Sequence, residues 1–153
     1  MSGNTSARRF AEELVHGVIA GRHDEVADAL EILAGADSPE VHAAVVGELV
    51  AGCAALVRAR SPADAGVVFT ADVKDDSARP VEVDLLPRAA LAALRALLAA
   101  LSGDEPSRDI QVAISAGGGP QEVVVAITHL LLWHVELAES PVSALPPLTC
   151  LAD

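Results

Sequence analysis

Over residues 7–20, Phe10, Leu14, Val18 and Ile19 fall at helical spacing, with Glu12, Glu13 and His16 off that face, which predicts an amphipathic helix. After Gly21 the pattern resumes. Val26, Leu30 and Leu33 mark a short second helix, with Asp24 as its expected cap and Gly35 as its stop. Ser38-Pro39-Glu40 is a strong start signal for a third helix over 39–60, because serine caps and proline suits the first helical position. Its inward positions are Val41, Val45, Leu49, Cys53, Leu56 and Val57. Ser61-Pro62-Ala63-Asp64 repeats the start signal for at most one further turn. Over 66–86 the helical period is lost. VVFTADV and PVEVDLL alternate in part around the polar run 74–80, which suits a β-hairpin or an ordered loop.

Pro87 opens a fourth helix over 88–101, with Leu91, Leu94, Leu97, Leu98 and Leu101 apolar. Ser107 is the expected cap of a short segment to Ala116, read as helix although Ile110, Val112 and Ile114 alternate. Gly117-Gly118-Gly119 and Pro120 then start the last helix, residues 120–139, apolar on nearly every side. The predicted fold is all-α: a single domain of about six helices, with residues 1–6 as a flexible start. The helical body is 7–140, made of a half at 7–65, a connector at 66–86 and a half at 87–140. Residues 141–153, rich in proline, are read as an extended, weakly ordered tail.

Both halves run long helix, acidic pair, short element, proline, long helix. Arg8, Leu14, Asp24 and Glu25 align with Arg88, Leu94, Asp104 and Glu105 at one offset. A duplicated three-helix unit is one explanation, and chance matching among alanine-rich segments is the other.

Composition narrows the partners. The 153 residues are 52% hydrophobic but 2% aromatic, so alanine and aliphatic side chains must build the core. A net charge of −12 repels phosphate backbones and anionic lipid, so neither nucleic acid nor a membrane surface is an expected partner. The apolar runs 123–127 and 130–133 are broken by Thr128 and His129, and no membrane span or secretory leader is expected. The expected location is cytoplasmic. Cys53 and Cys150 lie far apart and make neither a disulfide framework nor a thiolate site. Cys53 is expected on the inward face of its helix, Cys150 exposed in the tail.

Candidate chemistry is sparse. The glycine run lacks the lysine of a phosphate loop, and reads as a break between helices. His129 and His134, five residues apart, stand about 140° apart on a helix and would not share a metal. No cofactor is predicted. Ser115, His129 and His134 could line an inter-helix pocket for a small molecule or a hydrolase-like reaction, although no nucleophile signature surrounds Ser115. The excess apolar surface of the last helix favours another reading: a non-enzymatic interaction or scaffold protein, homodimeric through Leu131, Leu132 and Trp133. An acidic mimic of nucleic acid is the third, weakened by carboxylates dispersed over all the helices.

Overall fold

The computed structural model describes residues 2–60, 71–140 and 146–151. Six helices follow in order: α1 (Ser2–Ile19), α2 (His23–Gly35), α3 (Pro39–Arg60), α4 (Arg88–Leu101), α5 (Glu105–Ala116) and α6 (Pro120–Glu139). Between α3 and α4 lie β1 (Val73–Lys74), β2 (Pro80–Val81) and a single 3-10 turn, Val83–Leu85. A third two-residue strand, β3 (Leu148–Thr149), follows α6. The fold is all-α with a small sheet attached. The start signal at 61–64, the VVFT stretch, and tail residues 141–145 and 152–153 lie outside the described residues.

Several helix starts differ from the sequence expectation. Ser2–Thr5, expected as a frayed end, forms the first turn of α1. Asp24 does not cap α2. The helix begins at His23, and Asp24 and Glu25 occupy its first turn, where carboxylates face the positive end of the dipole. In α5 the cap is Asp104 rather than Ser107: its Oδ1 accepts the Ser107 N–H at 3.1 Å, and its Oδ2 accepts the Ser107 hydroxyl at 2.7 Å. The Ser107 hydroxyl, then its backbone N–H, hold the Asp104 carboxyl below its ordinary pKa. Ser38 does cap α3, its Oγ accepting from Val41 N at 3.3 Å. The glycine run does break α5 from α6, and Gly119, at φ 104°, holds a backbone angle that a side chain would strain.

α3 and α6 pack on each other at the centre, where the Cys53 thiol meets Leu130 O at 3.5 Å. Around them the helices pair in a repeating scheme. α1 packs on α3 and α6, as α4 packs on α6 and α3. α2 packs on α1 and α6, as α5 packs on α4 and α3. Arg58 donates to Ala100 O, placing a cation at the carbonyl end of α4. One pairing lacks a counterpart. α5 also packs on α6, whereas α2 approaches α3 less closely, with a buried bond of 2.8 Å from His42 Nε2 to Leu33 O.

The sheet has the order β2-β1-β3. β1 and β2 pair antiparallel, Val73 opposite Val81, around a turn whose Asp75 Oδ1 accepts from Ser77 N and Arg79 N. β3 pairs parallel with β1, Val73 opposite Leu148. Part of the predicted tail is therefore a strand.

One length expectation is corrected. Thr128 and His129 do not interrupt α6, and both Pro39–Ala59 and Pro120–Glu139 are long and apolar enough to cross a bilayer by length and composition. In the fold part of that apolar surface is buried in the α3–α6 contact and against the helices around it, and part, such as Val41, stays exposed.

Candidate functional site

On α6, His129, Trp133 and Glu136 stand at i, i+4 and i+7 and so share one face of the helix. All three bind the backbone of the final segment, residues 148–151. The indole N–H of Trp133 donates to Thr149 O at 2.8 Å. Glu136 takes the Thr149 N–H at 2.8 Å on Oε1 and its hydroxyl at 2.6 Å on Oε2. Nδ1 of His129 donates to Val125 O at 2.7 Å, which leaves Nε2 to accept the Leu151 N–H at 3.0 Å. On its other edge the segment is held by β1, with Leu148 N on Asp72 O and Cys150 N on Lys74 O. Lys74 Nζ lies 3.9 Å from Glu136. Four successive N–H groups thus bind alternately to β1 and to α6, and Leu148 and Cys150 turn inward.

This arrangement places Cys150, expected to be exposed, in the core with only 4% of its surface accessible. Its Sγ is 3.5 Å from His129 Nε2. The imidazole lone pair already accepts the Leu151 N–H, and strand and helix cover the thiol. The couple holds the tail. Cys53 is as expected: burial pushes its thiol up to about 12, where it is inert.

The other residues singled out from sequence lie apart. Trp133 is fully buried, Leu131 is buried and Leu132 is half-buried, so the indole anchors the chain's own strand. Ser115 is fully buried and donates to Val112 O of its own helix at 2.9 Å. His129 faces the tail. His134 lines a cavity of about 330 Å³ between α1, α3 and α6, together with Arg8, Glu12, His16, Glu48 and Gly52. Its buried Nδ1 has no hydrogen-bond partner, and burial lowers its pKa. Arg8 and Glu48 lie 3.7 Å apart beside it. Ser115, His129 and His134 make no hydrogen bond to one another.

A third place received no weight from the sequence. Where α2 stands off α3, an apolar cavity of about 410 Å³ lies between α1, α2 and α3. Ala7, Phe10, Leu33, Ala44 and Val45 line it, with Val41 44% exposed and Glu40 at its edge. Phe10 also borders a second cavity of about 470 Å³ along the α1–α2 seam, lined by Arg9, Glu12, Glu13, Arg22 and Glu25. The two cavities adjoin at Phe10 and together border α1 from Ser6 to Gly17, about 17 Å at the helical rise. The available signal was the stretch 23–57, which carries carboxylates but no Lys or Arg.

Among the described residues, no three His, Cys, Asp or Glu side chains gather in a way that could hold a metal ion. Compared with known proteins, the chain matches no family model, no curated protein and no solved structure.

Proposed function

We propose that this chain is a non-enzymatic helical interaction protein of the cytoplasm, which binds a protein partner through the face left open by α1, α2 and α3. The observation that carries the reading is the apolar groove with Val41 exposed at its edge. Apolar area left uncovered beside an apolar floor favours association, at about 25 cal/mol per Å² removed from water. The anchors therefore move from Leu131, Leu132 and Trp133 to Phe10, Val41 and Ala44. Homodimerisation through Trp133 would first require the chain's own strand to leave. A second copy meeting at the groove requires no such opening. Light scattering across a concentration series, with Val41→Asp beside the natural chain, is the test. A particle that stays monomeric and binds no helical peptide would sink the reading.

A second reading, a small-molecule binder, draws on the unpartnered Nδ1 of His134 in its cavity. It relocates the predicted pocket from Ser115 and His129 to the α1–α3–α6 junction. A ligand donating a hydrogen bond there would shift the His134 imidazole resonances, and His134→Leu would abolish that response.

A further inference from the structure

We infer that the groove along α1 is the seat of an amphipathic helix from a partner protein, one with an apolar face and cationic flanks. The inference rests on the interaction reading above and adds the chemistry of the partner.

Three observations favour this occupant. The first is the break in the packing scheme. In the second half α5 packs on both α4 and α6, but in the first half α2 packs on α1 and approaches α3 mainly at the His42–Leu33 bond. The apolar cavity lies in the space so left. The second is shape. The two cavities adjoining at Phe10 border about 17 Å of α1, about three turns of helix. The apolar one, floored by Phe10, Leu33, Ala44 and Val45, accepts aliphatic side chains at i, i+3 and i+4. The third is charge. The stretch from His23 to Val57 carries seven carboxylates and no Lys or Arg of its own. Arg22 pairs with Glu25 and Arg8 with Glu48, and Glu40 stands at the groove edge without an ion pair among the described residues. On α2, Glu25 and Asp28 share a face with Ile32, which is 74% exposed. Arg9 and Arg22 border the seam, but Glu12, Glu13 and Glu25 outnumber them there. A second copy would bring like charge to like charge, whereas a cationic helix neutralises it.

The full chain would be titrated into a fluorescently labelled Leu/Lys helical peptide of about 15 residues, and anisotropy recorded. Val41→Asp gives the deciding sign. It adds negative charge, so unspecific attraction to lysines would strengthen, whereas a filled groove predicts binding about tenfold weaker. Ala44→Glu is expected to act alike, and Ile110→Asp on the exposed face of α5 is expected to change nothing. Raising salt from about 50 to about 300 mM should weaken binding several-fold. A Leu/Glu peptide of the same pattern should not bind. Far-ultraviolet circular dichroism and Trp133 fluorescence verify that each variant folds. Tighter binding by Val41→Asp, or equal loss in Ile110→Asp, overturns the inference. A salt-strengthened dimer that Val41→Asp disrupts, without peptide binding, overturns the cationic helix and leaves the interaction reading standing. Neither peptide binding nor self-association overturns both.

Discussion

On the offset that aligns Arg8 with Arg88, the α1 residues Arg9, Phe10, Glu12 and Glu13 stand where α4 has Ala89, Ala90, Ala92 and Ala93. The four alanines are all buried, and α4 is covered nearly all round. Their counterparts in α1 are exposed or half-buried and line the seam with α2. Helices approach closely where side chains are small, so α5 settles deep between α4 and its neighbours. Charged and aromatic groups hold α2 further off, and the buried surface of α1 shrinks to one stripe: Ala7, Ala11, Leu14 and Gly17. The same order of helices therefore produces a closed half and an open one. The difference lies in side-chain volume along one helix face.

The largest test of this contrast compares the bulky aromatic of each half. Trp133 is fully enclosed and bonded to Thr149 O. Trp133→Ala is expected to cost about 3–5 kcal/mol in urea unfolding. Phe10, half-buried in the open groove, should lose under about 2 kcal/mol on the same change. Equal losses would mean that the first half is as closed as the second.

The closed half depends on the final strand, and Thr149→Pro removes that support. Proline has no N–H for Glu136, so the strand should detach and uncover Leu148 and Cys150. We expect a loss of about 2–4 kcal/mol, from one leucine and several hydrogen bonds. Titration with an aromatic disulfide should then find Cys150 reactive in the native state and Cys53 still protected. An unreactive Cys150 would show that the side chains of α6 are not what retains the strand.

How much of this was legible in the sequence follows from where each element finds its stability. The bounds of α6, Pro120–Glu139, were readable because the glycine run and proline are local signals. The identity of α5 as a helix was readable as well, but its cap was not, since Asp104 and Ser107 are both good caps and only the backbone path chooses. The strand at Leu148–Thr149 was out of reach. Two residues have no period, and their partners lie on β1, far away in the chain. A trace of it did exist, in His129, Trp133 and Glu136 recurring on one face of an otherwise apolar helix. Read singly, His129 looked like chemistry and Trp133 like an anchor for another molecule. The apolar excess of α6 was visible too, but what covers it is a property of five other helices and a strand.

Glycines give a smaller, two-sided test. A Cβ at Gly17 would stand 2.7 Å from Cγ2 of Val26, a stiff β-branched side chain, at a close approach of α1 and α2. Crowding of about 1–3 kcal/mol should exceed the helix-propensity gain of about 1 kcal/mol, so Gly17→Ala should destabilise modestly. Gly47, with nothing within 4 Å of an added Cβ, should instead be stabilised by up to about 1 kcal/mol as alanine. If both changes stabilise, the α1–α2 seam is loose along its whole length, and the groove does not end at Gly17.

The smallest expected effect is at His134, where the open half touches α6. Its Nδ1 is buried without a partner, so the imidazole contributes a desolvation cost and no compensating bond. His134→Leu should therefore stabilise, by up to about 1 kcal/mol near neutral pH. The pH dependence has a definite sign. Burial lowers the folded-state pKa below its ordinary value of 6.5, so the unfolded chain takes up a proton at a higher pH than the folded one. Stability at this site is then complete above 6.5 and is lost as pH falls from there through the folded value. The advantage of the leucine variant should grow between about pH 7 and about pH 5, read as diverging urea midpoints. Parallel midpoints would mean that water reaches Nδ1 through the cavity, and that the open half extends to α6 itself.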